Sequence, residues 1–340
     1  MASYDAVLLV SYGGPERPED VLPFLENVVR GKRVPRERLL AVAGHYELFG
    51  GVSPINAQNR ALLAALVGEL NAHGPALPVY WGNRCWHPLL ADTVRQMAED
   101  GVRRAVALVT SAFSSYSTCR QYLEAIELAR EEVGADAPKI DKLRVFYNHP
   151  GFIEPMAQRV AAALEEIPPE HRSAASLVYT AHSLPASMAA NCDYEQQLQE
   201  SCRLISKRVG RSDWRLVYQS RSGPPSQPWL EPDVRDYLRE LSRQSPGADV
   251  VVVPVGFLAE NMEIVYDLDV ETRSVCEELG LNMVRAAVVG SHPRLVQMIR
   301  ELIVERMQEN PLRLALGTYG PFPDVCPADC CLPADAPRST

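Results

Sequence analysis

The sequence has no apolar run approaching the ~18–20 residues that a membrane-spanning helix needs. The longest candidate, 250–258, is broken by Pro254 and Gly256 and reads as a buried strand. There is no excess of positive charge either: 34 Lys+Arg against 43 Asp+Glu leave a formal net charge of −9. That argues against a nucleic-acid polyanion as the main partner. The first residues, Met1 to Asp5, lack the basic and apolar regions of a secretory signal, so a cytoplasmic location with reduced thiols is expected. A phosphate-binding loop is missing as well. The turn Ser11-Tyr12-Gly13-Gly14-Pro15-Glu16 is not G-x-G-x-x-G; Pro15 and Pro18 remove backbone donors, and Glu16, Glu19 and Asp20 would repel a phosphate. A nucleotide-dependent enzyme is thereby disfavoured.

What is present is an alternation of short β-rich runs with longer amphipathic ones, the pattern of a parallel α/β fold. Strands are expected at 6–11, 79–82, 105–110 and 142–146, with helices at 18–29, 56–70, 88–99 and 116–132. The second half repeats the scheme, with strands at 176–181, 215–219, 250–254 and 282–286 and helices at 190–209, 231–242, 261–279 and 293–309. The 340 residues thus predict two doubly wound domains, each with a four-stranded parallel sheet, at 1–149 and 150–316. The seam is placed at His149-Pro150-Gly151. A tail at 317–340, rich in Pro and Cys, has no periodicity. Chemistry is expected in the cleft between the domains, outside the strand C-termini.

Tyr12 ends the first strand, where Gly13 and Gly14 would let the backbone approach a flat or bulky ligand; a packed core tyrosine is the plain alternative. His182 ends the strand that begins at Ser176 and precedes Pro185. Such folds put catalytic histidines there, although strand-end histidines are often structural. Glu263, Asp267 and Glu271 recur every fourth residue, on one face of the expected helix. Rows of carboxylates are ordinarily solvated faces. This one starts at the cleft, and with His182 it suggests a site that handles a divalent cation and protons together. Cys326, Cys330 and Cys331 crowd the tail. Adjacent cysteines in a reducing compartment make poor disulfides, and thiolate ligation of an iron–sulfur cluster or of zinc fits better. Cys119, at a strand–helix junction, is the candidate fourth ligand, whereas Cys85, Cys192, Cys202 and Cys276 read as small buried apolar residues.

Five segments occur together and in order: Ser11-Tyr12-Gly13-Gly14-Pro15-Glu16, Phe49-Gly50-Gly51-Val52-Ser53-Pro54-Ile55, Arg84-Cys85-Trp86-His87-Pro88, His182-Ser183-Leu184-Pro185 and the acidic stretch from Gly256 to Glu271. They resemble the ferrochelatases, class II chelatases that insert Fe2+ into a porphyrin at the end of haem synthesis, over nearly the whole chain. The resemblance implies two Rossmann-like domains and a porphyrin and ferrous iron as substrates. It implies His182 and Glu263 as catalytic residues facing each other across the porphyrin, with Asp267 and Glu271 joining them as carriers of metal or protons, and Tyr12 over the macrocycle. Arg30 and Ser53 match positions that contact propionates in bacterial relatives. Cys119, Cys326, Cys330 and Cys331 look like the ligand set of a [2Fe–2S] cluster. Asn261 departs from a histidine that many members carry two residues before the glutamate, so the path feeding Glu263 is expected to differ. A transient contact with the neighbouring haem-pathway enzyme is also implied. A cobalt or nickel chelatase for another tetrapyrrole and a non-catalytic tetrapyrrole- or haem-binding protein are the competing readings. Coproporphyrin III carries four propionates and protoporphyrin IX two, so the former needs a more cationic pocket. The basic residues Arg30, Lys32, Arg33, Arg36 and Arg38, with no long hydrophobic lip, favour coproporphyrin.

Overall fold

Ala6–Ser11 is buried along its whole length, as a parallel strand covered on both faces requires, and forms strand β1. The computed structural model describes residues 3–223 and 226–334; the last six residues of the expected tail, 335–340, lie outside them. The other strands are β2 (Val79–Asn83), β3 (Arg104–Val109), β4 (Lys139–Lys142), β5 (Ser176–His182), β6 (Arg215–Gln219), β7 (Asp249–Val253) and β8 (Asn282–Arg285). They form two parallel sheets of the same topology, β2-β1-β3-β4 and β6-β5-β7-β8. In each, the strand order reverses beside the first strand of the half, between β1 and β3 and between β5 and β7. Crevices at such reversals, at the strand C-termini, are where open α/β sheets bind ligands.

The helices are α1 (Val21–Val28), α2 (Arg36–Glu47), α3 (Ile55–His73), α4 (Leu90–Glu99), α5 (Gln121–Val133), α6 (Pro150–Glu165), α7 (Ala186–Ala189), α8 (Tyr194–Arg208), α9 (Val234–Gln244), α10 (Met262–Val265), α11 (Arg273–Glu278) and α12 (Pro293–Met307). Alternate strand residues face opposite ways. Ala6, Leu8 and Val10 turn outward to α4 and α5, and Val178, Val250 and Val252 turn outward to α9 and α11. The opposite faces, with Val7, Leu9, Val106 and Leu108 from one sheet and Leu177, Tyr179, Val251 and Val253 from the other, join α3, α6, α8 and α12 in one continuous core. Among the described residues no helix is long and apolar enough to cross a membrane.

The expected strands recur within a residue or two, with one exception. β4 covers Lys139–Lys142, not 142–146. Leu143 N still bonds Ala107 O at 2.8 Å, but Leu143, Val145 and Phe146, whose apolar character suggested the strand, leave the sheet for the shared core. Three helices were not expected. α7 is a single turn just ahead of the helix expected from residue 190. α2 buries only Ala43 and Tyr46, so its apolar period is weak. α6 begins at the very residues read as the seam, with Pro150 in its first turn and His149 Nδ1 accepting from Gly151 N at 3.0 Å. Burial, with help from the Arg144 and Arg294 charges, pushes His149 down to about 3, which keeps that nitrogen an acceptor. The two glycines after β1 pack against the protein's own chain. A Cβ on Gly13 (φ +83°) would lie 2.8 Å from Asn83 Cβ, and one on Gly14 2.8 Å from Ser53 Cβ.

Behind β4, Arg144 and Glu305 form a bidentate pair at 2.7 and 2.9 Å, with side chains 1% and 6% exposed. Arg144 Nη2 also donates to Leu314 O at 3.0 Å, and Arg313 Nε reaches Glu305 Oε1 at 3.0 Å. Leu316 N bonds Asn148 O at 2.8 Å. This knot fastens the segment after α12 to the first sheet. Glu305→Ala should therefore strand a buried guanidinium and lower stability by about 3–5 kcal/mol, read as a fall in the urea midpoint at an unchanged slope.

Candidate active site

His182 is the last residue of β5, at the reversal between β5 and β7. Its Nδ1 bonds Ser183 O, and its Nε2 lies 3.4 Å from Glu263 Oε1. Glu263 sits in the first turn of α10, which Asn261 caps by accepting from Ile264 N at 3.2 Å. The asparagine that departs from the family pattern is thus a helix cap, a role its short amide suits. Gln219 Nε2 donates to Glu263 O and ties α10 to the end of β6.

The acidic row does not lie on the continuous helix expected at 261–279. α10 ends at Val265, a π turn spans Asp267–Thr272, and α11 begins at Arg273. Glu271 N bonds Tyr266 O, five residues back, at 3.0 Å, and the buried Thr272 hydroxyl donates to Asp267 O at 2.6 Å. π turns of this kind recur at functional sites. Asp267 accepts from the Ser220 hydroxyl. Glu271 lies 3.3 Å from Arg235 Nη1, which also holds Asp233. Arg285 bridges Asp269 at 2.6 Å and Glu260 at 3.1 Å, on either side of α10.

Burial favours neutral His182, but the Glu263 charge and hydrogen bond, the Ser183 carbonyl and the Asp267 charge outweigh it and push the imidazole up to about 9. Burial pushes Asp267 up to about 7, against the Ser220 hydrogen bond, and the Glu263 and Glu271 charges add to the rise. Around neutral pH the imidazole is therefore charged, with the Asp267 carboxyl near its midpoint beside it.

Across from these groups, Tyr12 follows β1 with its ring edge-on to Phe24 at 6.3 Å, and burial pushes its hydroxyl well above the ordinary tyrosine range. Phe24, Leu25, Tyr46 and Trp86 of the first half form one apolar cluster with Met262, Val265 and Tyr266 of the second. His45 stacks on Tyr266 at 3.8 Å and 10°. Tyr12 and Glu263 are close enough for the glutamate charge to act on the phenol. Arg30 is exposed and donates to Asn27 Oδ1 at 2.5 Å. Ser53 is buried against Gly14. Sequence reasoning passed over Arg84, which stands over the Tyr12 ring at 4.9 Å.

The tail comes back to Cys119. Arg120 Nη1 donates to Ala328 O at 2.6 Å and Cys330 O at 3.1 Å, and Asn191 Nδ2 to Pro333 O at 3.0 Å. The tail therefore meets both halves. Cys330 Sγ and Cys331 Sγ are 3.4 Å apart, and Cys331 takes a left-handed backbone (φ +56°). The Cys330 sulfur, burial and the Cys119 sulfur push the thiols of Cys326 and Cys331 far up, the expected result of crowding thiols with no cation among them. Cys192 lies in the turn before α8, not within a helix, and acts on Cys331 as well. Among the described residues no three His, Cys, Asp or Glu side chains are gathered as a closed metal cage.

The ferrochelatase family model matches residues 4–307. The chain belongs to the ferrochelatase family. It is 55% identical over 329 residues to a ferrochelatase of Rhodopirellula baltica, covering 97% of this chain and 93% of that one. It is 49% identical over 358 residues to the coproporphyrin III ferrochelatase of Streptomyces coelicolor, covering 98% and 95%. Among solved structures, SirB of Bacillus subtilis with Fe3+ shares the fold at a TM-score of 0.54 and 14% identity, covering 90% and 98%. This member of the ferrochelatases is accordingly a metal chelatase that inserts ferrous iron into a porphyrin in haem synthesis.

Because the imidazole is raised above its ordinary value near 6.5, the His182–Glu263 pair stabilises the fold fully below that pH, and its contribution is lost as pH rises through about 9. Glu263→Gln removes the charge that outweighs burial. The His182 titration followed by NMR should then move from near 9 to 6.5 or lower.

Proposed function

We propose that this chain is a cytoplasmic coproporphyrin III ferrochelatase in which His182 and Glu263 form the metallation site. The observation that carries the site assignment is their 3.4 Å contact at the strand reversal, with Asp267 behind it. The porphyrin assignment is supported by relatives of that name at 48–51% identity over most of their length and by the basic segment from Arg30 to Arg38.

Metallation exchanges two pyrrole N–H protons for one Fe2+, with no change of oxidation state. Bending the ring toward a saddle exposes nitrogen lone pairs to the metal; the wall of Tyr12, Phe24 and Trp86 supplies the apolar contact to grip the disc. Glu263, Asp267 and Glu271 attract the cation. His182 is protonated in the resting site, so it accepts a pyrrole proton only after its own has gone, and an arriving dication drives that loss. Asp267, poised near neutrality, passes protons on toward Ser220 and solvent. Arg30 and Ser53 are assigned to the propionates, Arg30 at the rim and Ser53 by way of the Gly14 turn. The exposed Leu40 and Leu48 beside the basic segment offer a surface for a transient contact with the neighbouring haem-pathway enzyme.

Cys119, Cys326, Cys330 and Cys331 are assigned to a [2Fe–2S] cluster on the chemistry of four thiols and on the 3.4 Å approach of Cys330 and Cys331, while the described side chains form no group of three metal donors as they stand. Such a group would supply metal–thiolate bonds that fix the tail, and no proton or electron of the turnover passes through it.

Anaerobic incubation with Fe2+ and each porphyrin, followed by Soret absorbance, tests the reading: coproporphyrin III should be metallated faster than protoporphyrin IX, and the reverse order rejects it. His182→Ala should lower turnover by ~10²-fold while porphyrin affinity changes little; near wild-type metallation would remove His182 from the site. Purified protein should be coloured and hold about two irons per chain, lost when any of the four cysteines becomes serine. One Zn2+ per colourless chain would assign the cysteines to zinc instead.

A further inference from the structure

Gln219 is the last residue of β6, 1% exposed, and it is joined to both His182 and Glu263. On one side it pairs with His182 in the β5–β6 ladder, and its carbonyl accepts from Ser183 N at 2.8 Å. On the other, its side-chain Nε2 donates to Glu263 O. The amide can stand only one way round, because Glu263 O is an acceptor and needs the NH2 group. That orientation leaves Gln219 Oε1 buried with no hydrogen-bond partner among the described residues. An unpaired buried acceptor is destabilising, and an apolar side chain of the same length would fill the space without that cost. The next residue carries a cost of its own. Ser220 takes a left-handed backbone (φ +63°), a conformation that serine adopts rarely, and its hydroxyl donates to Asp267. Two consecutive residues at the end of β6 thus each hold one residue of the acidic segment.

The helix that carries Glu263 needs such a tie. α10 is a single turn, Met262–Val265, too short to hold itself together in water. Its placement comes from the burial of Met262 and Ile264, the Asn261 cap and the Gln219 bond. Of these, the Gln219 bond is the one that joins Glu263 to the strand paired beside His182. We propose that Gln219 is a positioning residue for metallation: bonded to the Glu263 carbonyl and laddered to His182, it sets the distance between the imidazole and the carboxylate. The inference rests on the reading of His182 and Glu263 as the metallation site. A displacement of the Glu263 backbone by about 1 Å would open their 3.4 Å contact beyond hydrogen-bond reach and slow turnover, with every group that touches substrate still present.

The test is a double-mutant cycle on the full chain. It reads kcat for anaerobic Fe2+ insertion at saturating iron, with whichever of the two porphyrins the wild type metallates faster. Gln219→Met keeps the length and bulk of the side chain and removes the donor. It should lower kcat by about tenfold to a hundredfold and leave the KM for Fe2+ and the affinity for porphyrin nearly unchanged. Because Gln219 acts through Glu263, the protein carrying both Gln219→Met and Glu263→Gln should be no slower than Glu263→Gln alone. Losses that multiply assign Gln219 to general stability and overturn the proposal, as does near wild-type kcat in Gln219→Met. Wild-type turnover in Glu263→Gln would instead remove Glu263 from the site, and the positioning role would fall with that reading. Should Gln219→Met fail to fold, the wild-type protein decides by NMR: the Gln219 side-chain NH2 should show a coupling across its hydrogen bond to the Glu263 carbonyl carbon, and the absence of that coupling overturns the proposal.

Discussion

Between the two sheets, α3, α6, α8 and α12 bury one apolar layer that neither sheet can leave without exposing it to water. Burial worth roughly 25 cal/mol per Å2 over such a layer far exceeds any single polar contact at the cleft. The sheets are therefore held with their strand C-termini at a common edge, and the groups that follow those strands are placed by the core rather than by their own interactions. Tyr12 and Arg84 issue from the first sheet, and His182 and the loop leading to Glu263 from the second. The Arg144–Glu305 knot continues the same constraint outward, since its partners come from the end of β4, from α12 and from the segment that follows it.

Charge is distributed unevenly over the acidic segment. Glu263 meets His182, Glu271 meets Arg235, and Asp269 and Glu260 share Arg285. Asp267 has a neutral hydroxyl for its hydrogen-bond partner. Burial and the two neighbouring carboxylates bring Asp267 near neutrality, whereas Glu271, Asp269 and Glu260 meet arginines. A column of equivalent carboxylates thus becomes a set with distinct tasks, by virtue of what faces each one.

Much of this was legible in the sequence because it follows from period and position. The strands that enter the sheets are short apolar runs; His182 ends one of them, and Glu263 opens the helix that follows another. Where local pattern and tertiary role part company, the sequence misleads. Leu143, Val145 and Phe146 look like a strand because they are apolar, yet they are apolar for the shared core. Pro150 and Gly151, read as the seam between the halves, open α6, and Gly151 is needed where a Cβ would lie 2.4 Å from Met298 Cβ. Gly13 and Gly14 pack against Asn83 and Ser53. Arg84 was quoted inside a motif and drew no attention, since only the assembled fold sets it over the Tyr12 ring.

The π turn at Asp267–Thr272 has a consequence for the phase of the segment around it. Each residue of an α-helix advances the chain by about 100° and 1.5 Å, so the extra residue in this turn offsets everything after it by about that amount relative to α10. Most side-chain replacements leave the offset intact, because it resides in the backbone count; the Thr272 hydroxyl that bonds Asp267 O is the side chain that supports the turn. Deleting one residue between Tyr266 and Arg273 would let α10 and α11 fuse into a single continuous cylinder, tighter and more regular than the native one. Glu271 would then turn away from Arg235 and Asp269 from Arg285. The irregularity is a vernier that sets two rows of charge against their partners at once.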